Sequence, residues 1–331
     1  VWCALLVSLG LGGCRAAAPA AKPAPQVERG TVKLAGFEVP YVLEGAGRPC
    51  MVYALLEYNR RAFSDRFKSQ LRCAFVQTRF AIPGAPADDA RPFTVDAAVE
   101  DLEAVRAALG MTRFVLVGHS IQGTVALAYA LRHPEHVTHV VSIGSVPELS
   151  PALERTAAEK WNREASPERK AIHERNRAAL TPEALSKMLP AQAVVADIVA
   201  DAPKRWYDPR FDERPLLSRD EFNVPVVTQL FGSEYHLFQG DALVKPPVFL
   251  AVGRFDFAAP LEAWAAHRAR FRDFAFEVFE RSGRRELIGT LTTASIPGAG
   301  TASRAKAGGA GRDSGFCEIT EQFVGEGSAV P

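Results

Sequence analysis

The sequence predicts an α/β fold, in which helices cover both faces of a doubly wound, mostly parallel sheet and a helical cap is inserted into the chain. Two observations lead to this prediction. Short apolar runs, typical of buried parallel strands, alternate with segments of helical periodicity. From about residue 147, charged amphipathic segments replace the apolar runs, and the alternation returns near residue 247. Such alternation implies parallel strands joined by crossover helices.

Each predicted element has a local signal. Thr94 is a favoured N-cap residue and Gly110 a favoured C-terminal stop, which predicts a helix between them. A second helix follows Gly118 and runs to Leu131, and a third spans Pro260–Arg270. The predicted strands are, in chain order, Val32–Leu34 and Val39–Leu43 as a hairpin around Gly36, then Met51–Leu55, Ala74–Thr78, Phe114–Val117, Val137–Ile143, Pro247–Val252 and Phe274–Phe279.

The cap is predicted over residues 147–244, within one folded domain of residues 27–285. Its helices are amphipathic and highly charged: Leu153–Glu164, Arg169–Leu180 and Pro182–Met188. After residue 285 the periodicity stops. Residues 286–331 are rich in Gly and Ala, which predicts an irregular or disordered tail.

Composition excludes several classes of function. The chain has 39 Lys and Arg against 38 Asp and Glu, so its formal net charge is +1, and we expect no nucleic-acid partner because that would need clustered basic residues. A 47% hydrophobic and 23% charged composition is that of an ordinary globular protein, not of a multi-span membrane protein. We expect neither a metal nor another cofactor, because His133, His136 and His139 drift off one helix face and include Pro134.

The N-terminal segment has the features of an export signal. Residues 1–13 form an uncharged apolar run, shorter than the roughly 20 residues that a membrane-spanning helix needs. The run ends in Leu11-Gly12-Gly13-Cys14, which resembles the lipobox of a bacterial lipoprotein signal. This predicts a lipid on Cys14, an Ala- and Pro-rich tether over residues 14–26, and anchoring at the membrane of the cell envelope. A fortuitous apolar N-terminus is the alternative.

Two cysteines open neighbouring predicted strands. Cys50 precedes Met51–Leu55 and Cys73 precedes Ala74–Thr78, so the thiols meet if these strands are parallel neighbours. We expect two buried free thiols. A disulfide is the alternative, which an oxidising compartment would permit if the Cα spacing suits it.

The candidate catalytic residues follow strands. Gly118-His119-Ser120-Ile121-Gln122-Gly123 stands between a strand and a helix, the context of a nucleophile elbow, although Gln122 occupies the second glycine position of G-x-S-x-G. The helix N-terminus would place the Ile121 N–H near a developing oxyanion. Asp256 ends a later strand, where catalytic groups gather in parallel sheets, and could orient a histidine. A helix-capping role for Asp256 is the alternative.

The chain resembles the α/β-hydrolase fold, in its proline-iminopeptidase-like branch. The resemblance rests on these strings, on Gly253-Arg254-Phe255-Asp256 and on the order Ser, cap, Asp. The resemblance covers roughly residues 32–283. It implies that Ser120 attacks the carbonyl of a small-molecule ester or peptide, that a histidine takes the serine proton, and that Asp256 holds this histidine. It also implies an oxyanion hole formed by the Ile121 amide and by one from the loop after Met51–Leu55, which we assign to Leu56.

The family's histidine is expected directly after Ser282-Gly283, where this chain has Arg284. A guanidinium stays protonated and cannot act as a general base. The last histidine of the chain is His267, which we expect to be exposed on its helix. Two explanations stay open: a reading frame damaged near codon 284, or a protein that has lost catalysis. In the second case the chain is a ligand-binding lipoprotein in which Arg284 contacts a carboxylate.

Overall fold

A computed structural model describes residues 27–34, 36–86, 92–217 and 221–284. The predicted signal segment, Cys14 and the tether therefore lie outside the described residues, as do residue 285 and the predicted tail. No helix in the four described ranges is long and apolar enough to cross a membrane.

The strands form one large sheet and one small ribbon. Their bounds are β1 Glu28–Leu34, β2 Phe37–Glu44, β3 Arg48–Ala54, β4 Leu71–Gln77, β5 Phe114–His119, β6 Val137–Ile143, β7 Glu148–Leu149, β8 Tyr235–His236, β9 Val248–Gly253 and β10 Phe274–Phe279. The large sheet has eight strands in the order β1-β2-β4-β3-β5-β6-β9-β10. The pairs β1–β2 and β2–β4 are antiparallel and the others are parallel. The predicted mostly parallel sheet is confirmed.

The burial of the central strands explains why their sequences are continuous apolar runs. β5 and β9 are buried at every position, as strands covered by helices on both faces must be. β1 and β2 form the predicted hairpin, and Gly36 in its turn has φ of 86°, a conformation that glycine adopts without steric cost.

Cys50 and Cys73 lie opposite each other on the parallel strands β3 and β4. Both side chains are fully buried, and both are free thiols. Burial, and next the neighbouring Cys73 thiol, raise the pKa of the Cys50 thiol well above its usual value. The structure therefore agrees with the expectation of two buried free thiols.

Helices connect the strands, and several of them lie between β6 and β9. The α-helices are α1 Leu56–Ala62, α2 Asp65–Gln70, α3 Val95–Ala108, α4 Ile121–Arg132, α5 Pro151–Glu164, α6 Pro167–Ala178, α7 Pro182–Ser186, α8 Pro190–Ala200, α9 Arg214–Leu217 and α10 Val224–Gly232. Thr94 caps α3 as its sequence predicts, because its hydroxyl accepts the N–H of Ala97 at 3.3 Å.

The chain between β6 and β9 contains α5 to α10, in the region where the sequence predicts a cap. Three of these helices begin with the same local signal, a hydroxyl residue followed by proline. Ser150, Ser166 and Thr181 each accept a backbone N–H from the first turn of the helix that they cap. These caps explain why highly charged segments form helices here. The ribbon of β7 and β8 joins the two ends of this region.

The segment after Pro260 differs from its prediction. Leu261–Arg270 is a 3₁₀-helix and not an α-helix, and at its start the N–H of Ala263 donates to the carbonyl oxygen of Pro260, three residues back. The prediction that His267 is exposed was also wrong. Its ring stacks on Phe238 with the ring centres 5.1 Å apart, and burial lowers its pKa.

Candidate active site

Ser120 stands on a sharp turn between β5 and α4. It has φ of 60° and ψ of −130°, and no other non-glycine residue in the described ranges has a positive φ. Such a conformation costs about 1–3 kcal/mol and persists only where the surroundings impose it. Here the Ser120 N–H donates to the carbonyl oxygen of Ile143 on β6 at 2.8 Å. The turn has the strain and position of a nucleophile elbow.

Two glycines allow the turn to pack. A Cβ atom on Gly118 would lie 2.2 Å from the carbonyl oxygen of Gln122, and one on Gly123 would lie 2.7 Å from Ser142 Oγ. Both distances are far below van der Waals contact. This turn therefore requires glycine at position 123, one residue later than in G-x-S-x-G.

Replacement of Gly118 by alanine is expected to lower the free energy of unfolding by about 1–3 kcal/mol, because the clash is with backbone, which cannot rotate away. Urea unfolding measures this. Gly232→Ala is the matched control: nothing lies within 4 Å of its added Cβ, so its stability should be unchanged or slightly raised. Equal effects of the two substitutions would contradict the crowding argument.

Asp256 follows β9 and is completely buried. Its Oδ1 atom accepts the backbone N–H groups of Ala258 at 3.0 Å and Ala259 at 2.7 Å. These bonds hold the carboxylate in one orientation and leave Oδ2 directed at residue 284. Asp256 therefore caps the following turn and also contacts position 284, while its role in orienting a histidine stays a prediction.

Arg284 occupies the position between Asp256 and Ser120. Its Nε donates to Asp256 Oδ2 at 2.8 Å and its Nη2 to Oδ1 at 3.2 Å. Its Nη1 donates to Ser120 Oγ at 3.1 Å. The structure thus brings together the three positions that the sequence singled out, with a guanidinium where a histidine is expected.

This arrangement has a serine hydroxyl and a carboxylate but no base between them. Arginine has only donors, so the group nearest to Ser120 Oγ cannot accept its proton. His119 does not fill the gap, because its Nε2 lies 3.3 Å from the carbonyl oxygen of Arg284. Over the described residues, no histidine lies between Ser120 and Asp256. The same part of the chain holds no group of three or more His, Cys, Asp or Glu side chains able to bind a metal ion.

The two predicted oxyanion donors lie at helix N-termini. Ile121 is the first residue of α4, directly after Ser120, where backbone N–H groups have no partner within the helix. Leu56 is the first residue of α1, but its N–H donates to Gln77 Oε1 at 2.8 Å. The hydrogen bond from the Leu56 N–H to Gln77 would have to break before this N–H could bind an oxyanion. Its assignment stays a prediction.

Sequence reasoning did not find Gln77, or the cap residues that hold position 284. The Arg284 N–H donates to the carbonyl oxygen of Arg205 at 2.8 Å. Arg205 in turn pairs with the fully buried Glu213 at 2.8 Å, and Glu213 also accepts the indole N–H of Trp206. Gln77 could have been found from the sequence, because it stands at the carboxyl end of a parallel strand, where functional side chains gather. The contact between Arg205 and Arg284 had no local signal.

A comparison with protein families identifies the fold. The model of the family described as "alpha/beta hydrolase fold" matches residues 69–284, more than half of the chain. The chain belongs to the alpha/beta hydrolase fold family. A curated member of similar sequence is "AB hydrolase superfamily protein YclE" of Bacillus subtilis. It is 30% identical over 260 residues, which are 76% of this chain and 91% of that protein.

Solved structures resemble this alpha/beta hydrolase fold protein over most of its length. An alpha/beta fold family hydrolase from Bacillus anthracis has a TM-score of 0.60 and 18% identity, and the match covers 92% of this chain and all of that one. A proline iminopeptidase from Mycobacterium smegmatis has a TM-score of 0.61 and 16% identity, with 91% and 98% covered. At these identities the likeness shows the fold alone.

Proposed function

We propose that this chain has the site of a serine hydrolase that cleaves an ester or amide, and that Arg284 blocks turnover. Ser120 is the nucleophile, and Asp256 is the carboxylate that would orient a base at position 284. The observation that supports the proposal is the bridge from Asp256 through Arg284 to Ser120 Oγ. The substrate class, small esters or peptides with a free N-terminus, rests on the sequence resemblance.

Arg284 would block the reaction because it cannot accept the hydroxyl proton of Ser120. When Ser120 Oγ bonds to a substrate carbonyl carbon, the carbonyl π electrons move to oxygen and the hydroxyl proton must leave. In a triad the imidazole accepts that proton and later gives it to the leaving group. Arg284 offers no lone pair and instead donates a hydrogen bond to Oγ. Attack would therefore stop before the tetrahedral intermediate is stabilised.

A non-catalytic ligand-binding protein is the second candidate, because the base is missing. From the sequence, Arg284 would contact a carboxylate of the ligand in such a protein. In the structure, however, two guanidinium nitrogens already donate to Asp256 and a third donates to Ser120. The positive charge of Arg284 is thus balanced inside the protein, which disfavours that contact.

Covalent labelling by a fluorophosphonate probe tests the proposal, since Ser120 Oγ would bond to phosphorus and release fluoride. We expect no labelling of the chain with Arg284, labelling of the Arg284→His variant, and none when Ser120→Ala is added. Arg281→His is the matched control, because it places a histidine three residues away on an exposed side chain. A folded Arg284→His variant that stays unlabelled would instead favour the ligand-binding candidate.

The location at the cell envelope belongs to the same proposal. It depends on residues 1–14 alone, with Cys14 as the lipidated residue. A lipid anchor would hold the hydrolase domain at the membrane through the tether of residues 14–26.

A further inference from the structure

The cap contains a cavity that Ser120, Asp256 and Arg284 do not line. It has a volume of about 1050 Å³ and lies between α6, α8 and the segment of residues 209–214. Ligand sites in proteins measure roughly 300–1,000 Å³, so this space is large enough for a small molecule. The proposed hydrolytic reaction makes no use of it.

One wall of the cavity is an unusually apolar helix. α8 has apolar residues on all sides, with Gln192 and Asp197 as its polar exceptions. A helix of that kind is expected to be buried all round. Val194 and Ile198 do pack on the core, but Ala196 and Val199 line the cavity.

Apolar residues outside α8 also line the cavity. Phe211 lines it with its ring stacked on Trp206, the ring centres 3.9 Å apart, and remains 38% exposed. Leu180 and Met188 complete the apolar lining near the ends of α6 and α8. Apolar residues of α8 and Phe211 therefore line one space that is large enough for a ligand.

The charges at the rim are unbalanced. Arg210 pairs with Glu168, and Arg214 pairs with Asp212 at 2.8 Å. Arg175 also lines the cavity, is exposed, and has no ion pair within the described ranges. The cavity thus combines apolar walls with one cation that no carboxylate balances.

We propose that this cavity binds a fatty acid, with the alkyl chain between α8 and Phe211 and the carboxylate on Arg175. Arginine suits this role, since its planar guanidinium matches a carboxylate through two parallel hydrogen bonds. The alkyl chain would cover the apolar face of α8 that the protein leaves open. A neutral amphiphile would make the alkyl contact with α8 but not the carboxylate contact with Arg175.

Isothermal titration of the full chain with octanoate, decanoate and decanol tests the proposal. Each buried methylene strengthens binding about fourfold, so decanoate, with two more methylenes, should bind roughly fifteenfold more tightly than octanoate. Arg175→Gln should weaken decanoate binding about tenfold and leave decanol binding unchanged. Ala196→Trp should weaken the binding of both, because the indole would occupy the space beside α8 where the alkyl chain is proposed to lie.

Arg155→Gln is the matched control, because Arg155 is exposed on α5, forms no ion pair in the described part of the chain and does not line the cavity. It should change neither affinity. The proposal is overturned if decanoate shows no saturable binding, or if Arg175→Gln leaves its affinity intact. It is also overturned if the same face binds only vesicles of anionic phospholipid, or mediates dimerisation that Ala196→Trp prevents.

Discussion

The Arg284→His variant is expected to hydrolyse a p-nitrophenyl ester about 10²–10⁴ times faster than the chain with Arg284, which is the usual contribution of a positioned general base. Asp256 is already buried and held by two backbone N–H groups, so an imidazole at position 284 would meet an oriented carboxylate. Because only neutral imidazole accepts a proton, the rate should fall as the pH falls through the range in which that imidazole titrates. Initial rates across pH measure both effects.

Arg284→Gln separates the gain of a base from the loss of a positive charge. It removes the guanidinium and supplies no group that titrates, so we expect no increase in rate. If the glutamine variant were as fast as the histidine variant, Arg284 would only obstruct the site and another residue would serve as base. Ser120→Ala in the Arg284→His background should return the rate to that of the starting chain.

Arg284→Met is expected to lower the free energy of unfolding by about 3–5 kcal/mol, because it leaves the buried carboxylate of Asp256 without its cation. The Asp256 side chain is fully buried and that of Arg284 is 13% exposed, so solvent screens this pair little. The two backbone N–H groups on Oδ1 would remain and would limit the loss. Urea unfolding near neutral pH gives the value.

Two further variants test this explanation. Adding Asp256→Asn to Arg284→Met should recover much of the stability, since no buried charge then remains. Arg254→Met breaks the Arg254–Glu280 pair, whose side chains are 41% and 55% exposed, and should cost no more than about 1 kcal/mol. A similar cost for Arg254→Met and Arg284→Met would contradict a special role for the buried pair.

Most of the fold could be predicted because its elements have local signals. Buried parallel strands such as β5 and β9 are apolar along their whole length, and periodicity alone indicates them. The helices α5, α6 and α7 each begin with a serine or threonine followed by proline. This signal can be recognised in the sequence, because a helix cap involves only residues a few positions apart. The 3₁₀ winding of Leu261–Arg270 was missed, because periodicity does not separate it from a short α-helix.

The candidate site could be predicted in part. Ser120 and Asp256 each follow a strand, and the carboxyl ends of parallel strands meet at one edge of the sheet. The hydrogen bond of Gln77 to the Leu56 amide, and the contact of Arg205 with Arg284, could not be predicted. Both join segments that are distant in the chain, and neither has a pattern around it.

The sequence by itself determined the α/β architecture, the elbow at Ser120 and the arginine at the position of a base, because each depends on neighbouring residues. Only the tertiary structure decided what that arginine does. Arg284 lies 28 positions from Asp256 and 164 from Ser120, and hydrogen bonds to both follow from the path of the whole chain. The apolar cavity in the cap has the same origin, since a helix sequence does not state which of its faces the folded protein leaves uncovered.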